Sequence, residues 1–173
     1  MLRPLARRLY PPVTGMERPA REPGIENIRE IPLGSSDGWP DLEGIHVVLI
    51  EDNSDTRLMV DEVLRHCGAV VTTYESAEVA LQHLSEFVPR VFICDLSMPG
   101  LDGMQFMKRI RALPAKRGSS TPALAVTAYD AQYAASAAQD AGFNAYLTTP
   151  LRLDLLATVV KELSSHAVRP KAA

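Results

Sequence analysis

The chain of 173 residues has the length of one ordinary domain, and with 46% hydrophobic and 23% charged residues it can bury a full core. A net charge of −3 with no basic stripe argues against direct nucleic-acid binding, and no apolar run approaches the roughly 20 residues of a membrane helix. Two cysteines, Cys67 and Cys94, lack the spacing of a disulfide scaffold or a zinc site and fit a reducing cytoplasm.

Residues 1–43 hold seven of the thirteen prolines and show no sustained apolar period, so a disordered N-terminal arm is expected there. Met1 to Thr14 is rich in arginine and free of acids but lacks the apolar core of a secretory signal. A transit peptide and a true start at Met16 are both compatible with that composition.

From Gly44 the pattern becomes regular. Ile45 to Ile50 is a continuous apolar run of the buried parallel type. Ser54 or Asp55 can cap a helix whose Met59, Val60, Val63, Leu64 and Cys67 recur at helical spacing, with Gly68 as its left-handed stop. A second strand spans Ala69 to Thr73, and Ser76 caps a helix carrying Val79, Ala80, His83, Leu84 and Phe87. The third strand is Val91 to Cys94, where Cys94 reads as a small core residue. His46 opens a strand and His66 ends a helix, positions that suit structural or solvated side chains. After a Pro- and Gly-containing loop come a helix near Met104 to Leu113 and a strand at Ala123 to Thr127. Asp130 is placed to cap an alanine-rich helix that ends before Gly142. Ala145 to Leu147 forms the fifth strand, Leu151 to Leu163 the last helix, and 165–173 a flexible tail. Five strands alternating with five helices imply an α/β domain over 44–164, doubly wound and flavodoxin-like, with a five-stranded parallel sheet in the order 2-1-3-4-5.

Such a sheet puts its chemistry at the carboxyl ends of the strands. The first strand delivers Glu51 and Asp52, the third Asp95, the fourth Thr127 and the fifth Thr149. Carboxylates packed together raise one another's pKa unless a cation sits among them. Mg²⁺, which takes carboxylate and phosphate oxygens, suits that set. The plainer reading is that acids after strands cap the next helices. It fits Asp55 and Asp130 but not Asp95, which is followed by Pro99, Gly100 and Gly103 before any helix.

Four segments carry a resemblance. Ile-Glu-Asp-Asn-Ser-Asp-Thr-Arg at 50–57, Cys-Asp-Leu-Ser-Met-Pro-Gly-Leu-Asp-Gly at 94–103, Ala-Val-Thr-Ala-Tyr at 125–129 and Ala-Tyr-Leu-Thr-Thr-Pro at 145–150 resemble the signature segments of response-regulator receiver domains. The likeness runs from about residue 44 to 164, and the lead-in Leu42-Glu43-Gly44 is similar to that of receivers in hybrid histidine kinases. The resemblance implies that Asp95 is the phosphoacceptor. Glu51, Asp52, Asp95 and the carbonyl of Ser97 would then hold Mg²⁺. It makes Thr127 the phosphoryl contact that draws its loop inward and Tyr146 the aromatic switch. The bond before Pro150 is expected to be cis.

One position departs from the family pattern. Receivers usually carry lysine immediately before this proline, where the chain has Thr149, too short and uncharged to replace it. Phosphorylation could persist with impaired switching, be lost, or rely on another basic residue; Arg152 is near in sequence but falls in the last helix. Glu51 in place of an aspartate is a mild variation.

The expected function is a stand-alone phosphoacceptor in two-component or phosphorelay signalling, cytoplasmic and without a membrane segment. A histidine kinase or phosphotransfer protein would be the donor and a separate protein the output. The fourth helix, fifth strand and fifth helix form the expected contact face, also for a homodimer. The alternative is a degenerate receiver that binds its partner without phosphorylation. An enzyme is not expected: a haloacid-dehalogenase-type phosphohydrolase would need a second Asp where Ser97 stands, and no cap domain is inserted.

Overall fold

The computed structural model describes residues 38–84, 87–128 and 135–166. In chain order the elements are β1 (His46–Ile50), α1 (Ser54–His66), β2 (Val70–Tyr74), α2 (Ala77–His83), β3 (Val91–Asp95), α3 (Gly103–Arg111), β4 (Ala123–Thr127), α4 (Ala135–Ala141), β5 (Ala145–Thr148) and α5 (Leu153–His166). All strand pairs are parallel, and the order is β2-β1-β3-β4-β5, as the alternation of elements requires.

Period-2 alternation along each central strand divides the core into two layers. Val47 and Leu49, Val91 and Ile93, and Leu124 and Val126 face Val60 and Leu64 of α1 and Leu156 and Val160 of α5. Val48 and Ile50, Phe92 and Cys94, and Ala123 and Ala125 face Ala77 and Ala80 of α2, Phe106 and Ile110 of α3, and Ala138 of α4. The alanines of β4 leave room for larger rings nearby, and Phe92 meets Phe106 edge to face at 5.9 Å. Each such ring contributes roughly 1.5–3 kcal/mol by leaving water. Cys94 is wholly buried, as its surroundings in sequence imply.

Several local expectations change. Helix α1 is capped by Asn53, not by Ser54 or Asp55: its side chain accepts from the amides of Asp55 and Thr56. Three residues of capping type stand in a row, and the chain turns at the first. Ser76 caps α2 as expected, but that helix ends at His83. Phe87 instead stacks on the His46 ring at 4.7 Å, while His46 Nε2 lies 2.8 Å from the Thr72 hydroxyl. Gly68 ends α1 with φ of +93°, the left-handed geometry expected of it. Of the helix expected to start after Asp130, the span Ala135–Ala141 is helical, and Asp130 itself lies outside the described residues.

The folded unit also starts earlier than Gly44. Leu42 is fully buried against the α1–α5 layer and donates its N–H to the Cys67 carbonyl at 2.7 Å. Trp39 meets the His66 ring edge-on at 6.5 Å. These contacts correct the boundary at residue 43. Residues 1–37 of the expected arm, and 167–173 of the expected tail, lie outside the described residues.

On the opposite side, Arg111 ties α3 to the ends of α4 and β4. Its guanidinium donates to the carbonyls of Gly142, Ser119 and Thr121 at 2.8–3.0 Å, and to Asn144 Oδ1 at 3.3 Å. Among the described residues no helix is long and apolar enough to cross a membrane.

Candidate phosphoacceptor site

The carboxyl ends of β1 and β3 lie side by side, because β1 and β3 pair directly at the point where the strand order reverses. Glu51 and Asp52 leave β1, and Asp95 closes β3. Their carboxylates each offer an oxygen within 4.8 Å of the others. Glu51 is buried, Asp95 half-buried and Asp52 exposed, so the cluster opens to solvent on one side.

Helix α3 approaches closely behind Asp95 because Gly103 has no side chain. A Cβ at that position would lie 2.2 Å from the Asp95 carbonyl oxygen. The loop between them is held by Glu78 of α2, whose carboxylate accepts the Leu101 N–H at 2.7 Å. The Ser97 N–H donates to Asp95 Oδ1 at 3.1 Å.

The electrostatics are those of crowded acids. Burial, then the Asp95 charge, push Glu51 up to about 7, against a weaker opposing effect of the Asn53 N–H that it accepts. Burial also raises Asp95, with Asp52 adding to the shift and the Ser97 N–H opposing it. A divalent cation would relieve this repulsion, and three carboxylates are hard oxygen donors of the kind Mg²⁺ prefers. The residues present therefore fit that ion.

Thr127 ends β4 with its hydroxyl buried, 3.4 Å from the Ser97 hydroxyl, and donates to the Ala128 carbonyl at 3.1 Å. Tyr146 lies on β5, half-buried against the layer that α3 and α4 cover. Thr149 is exposed one residue beyond β5, and its bond to Pro150 is cis as expected. Arg152, the nearby base, is engaged with Asp154 at 2.7 Å.

Comparison with known proteins decides the family. The family model described as response regulator receiver domain matches residues 47–161. The chain belongs to the receiver domain family. It is 36% identical over 110 residues to an uncharacterized 14.6 kDa protein in the sodA1 3′ region of Leptolyngbya boryana, covering 64% of this chain and 82% of that one. It is 31% identical over 121 residues to the DNA-binding transcriptional regulator NtrC of Escherichia coli, 69% of this receiver but only 25% of NtrC. Among solved structures it is similar to the receiver domain of sensor histidine kinase PA1611 from Pseudomonas aeruginosa, described with a magnesium ion coordinated in the active site cleft. That likeness has a TM-score of 0.64 and 26% identity, covering 70% of this chain and 98% of the other.

The structure brings Glu51, Asp52 and Asp95 together at the strand ends, with Ser97 and Thr127 in contact beside them, while Tyr146 lies within β5 opposite Ala125 and Thr149 just past the end of that strand. Asn53, whose N–H binds Glu51 Oε1, Arg57, whose Nη1 donates to the Glu51 and Asp52 carbonyls, and Glu78, which binds the Leu101 N–H, were given no site role from sequence. Gly103 had a signal, since it follows an acceptor loop and opens a helix. The hydrogen bonds of Arg57 and Glu78 reach loops outside their own helices, which helical periodicity does not report.

Proposed function

We propose that this receiver domain accepts a phosphoryl group on Asp95 from a histidine kinase or phosphotransfer protein and signals through a protein partner. The observation that carries the reading is the approach of Glu51, Asp52 and Asp95 to within 4.8 Å at the strand ends. An Asp95 carboxylate oxygen forms a bond to phosphorus as the bond from phosphorus to the donor imidazole breaks, and the imidazole keeps the electron pair. Glu51, Asp52 and Asp95, with the Ser97 carbonyl, would hold Mg²⁺, which when bound offsets charge on the phosphoryl oxygens. Thr127 then exchanges its contact with the Ala128 carbonyl for a phosphoryl oxygen, and Tyr146 follows the loop inward. The altered surface is that of α4, β5 and α5. Asp95 is modified once per transfer, so the domain is a substrate of its donor and not itself an enzyme.

The test is intact-mass measurement after incubation with Mg²⁺ and a small acyl phosphate. Wild type should gain one phosphoryl group, and Asp95→Asn none. A second reading, a receiver that binds its partner without phosphorylation, is favoured by Thr149 at the usual lysine position. It predicts no mass gain in wild type and partner affinity that is the same for Asp95→Asn.

A further inference from the structure

Arg57 lies four residues beyond the α1 cap and points back toward the acidic rim. Its Nη1 donates to the Glu51 carbonyl at 2.6 Å and to the Asp52 carbonyl at 3.2 Å. Its own backbone N–H donates to the Asn53 carbonyl at 2.9 Å. One side chain therefore grips the two residues that carry the metal-facing acids. A cation beside three carboxylates would ordinarily pair with one of them. Among the described residues Arg57 forms no such ion pair, and its guanidinium donates to main-chain carbonyls instead. Arg57 thus leaves the carboxylate oxygens of Glu51 and Asp52 to the rim, where Glu51 Oε1 also accepts the Asn53 N–H at 3.1 Å. Geometry, more than charge, is what this contact supplies.

We infer that Arg57 is a positioning residue of the phosphoacceptor site: by binding the carbonyls of Glu51 and Asp52 it fixes the β1–α1 loop so that both carboxylates face Asp95. The inference rests on the reading of the rim as a divalent-cation and phosphoacceptor site. It assigns to this chain a fixed cation on the β1 side of the pocket, opposite the β5 side where Thr149 leaves none. Arg57 does not contact the phosphoryl group and does not replace lysine there.

The sign of one measurement separates positioning from charge. Removing a positive charge near three acids should, by charge alone, tighten Mg²⁺ binding. Losing the grip on the loop should weaken it, and residues that orient metal ligands typically change affinity by 10–100-fold when removed. The experiment titrates Mg²⁺ into wild type, Arg57→Met and Arg57→Lys by calorimetry, with thermal melts of each protein as a check of folding. Amide hydrogen exchange at Asp52 and Asn53 is followed without metal. Arg57→Met should bind Mg²⁺ roughly tenfold more weakly and exchange those amides faster. Arg57→Lys, which keeps the charge and one donor group, should fall between, and it carries the comparison if the methionine variant melts at the assay temperature. Binding by the variants that is equal to or tighter than wild type overturns the role of Arg57 while leaving the site intact. No Mg²⁺ binding by wild type overturns the reading of the rim, and the inference with it.

Discussion

Thr149 donates its backbone N–H to the carbonyl of Thr127 at 2.9 Å, so the residue at the usual lysine position is joined directly to the strand end that carries the proposed phosphoryl contact. The main chain at Thr149 is tied to β4, and its side chain carries no charge. A modification shifts an equilibrium only by its differential interactions with the two states. One charge-assisted contact, worth roughly 1.5–3 kcal/mol, is missing from that difference. Phosphorylated wild type should therefore move Tyr146 and the loop after Thr127 incompletely, and Thr149→Lys should complete the movement. Spectra with and without a beryllofluoride mimic of the phosphoryl group check this. Equal, full responses in the two proteins would show that Thr149 is no defect.

The crowded acids give a pH dependence with a definite sign. Glu51 rises from 4.5 to about 7 on folding, so the folded protein holds a proton that the unfolded chain releases. Its contribution to stability is fully present below pH 4.5 and is lost as pH rises through about 7, to an extent of up to about 3 kcal/mol. Metal-free protein should become less stable over that window, and Glu51→Gln should flatten the slope. Mg²⁺ binding, which needs the ionised carboxylates, should strengthen over the same window, raising the melting temperature at pH 8. Asp52→Ala should lose most of that rise. Melting curves across pH, with chelator or millimolar Mg²⁺, measure both.

Leu42 anchors the chain ahead of β1 to the α1–α5 layer. Removing residues 1–37 keeps the Leu42 bond to Cys67 and the packing on α1 and α5, and should leave stability within about 0.5 kcal/mol of wild type. Leu42→Ala should cost about 2–5 kcal/mol, because a wholly buried side chain leaves a cavity under the α1–α5 layer. Denaturant titrations of the truncated chain and of the variant decide between these values.

Gly103 should tolerate no side chain. A Cβ 2.2 Å from the Asp95 carbonyl oxygen can be relieved only by moving backbone, either the start of α3 or the end of β3. Gly103→Ala should cost at least ~2 kcal/mol and lower the rate of Asp95 modification together with Mg²⁺ affinity. An alanine variant with wild-type melting and wild-type labelling would show that α3 can retreat freely.

Most of the frame was legible because buried parallel strands read as apolar runs, and because each run ends in the residue that the sheet presents at its rim. Glu51, Asp95 and Thr127 are such residues. The burial of Leu42 was not legible: it is a single apolar residue between Pro40 and Gly44, with no period to mark it as core. The cap of α1 was misplaced because Asn53, Ser54 and Asp55 are chemically interchangeable there, and the loop geometry chose among them. Arg57 and Glu78 were invisible for another reason. Their partners are main-chain groups of loops that lie beyond their own helices, and no local pattern in the sequence records such contacts.

The most direct test of the account is to locate the modified atom. The protein is treated with Mg²⁺ and a phosphodonor, then reduced with borohydride, which converts an aspartyl phosphate to homoserine, and digested for peptide mass mapping. The account predicts homoserine at position 95 alone, dependent on Mg²⁺ and absent in Asp95→Asn. Homoserine at another aspartate, or an unmodified Asp95 after treatment with competent donors, would contradict it.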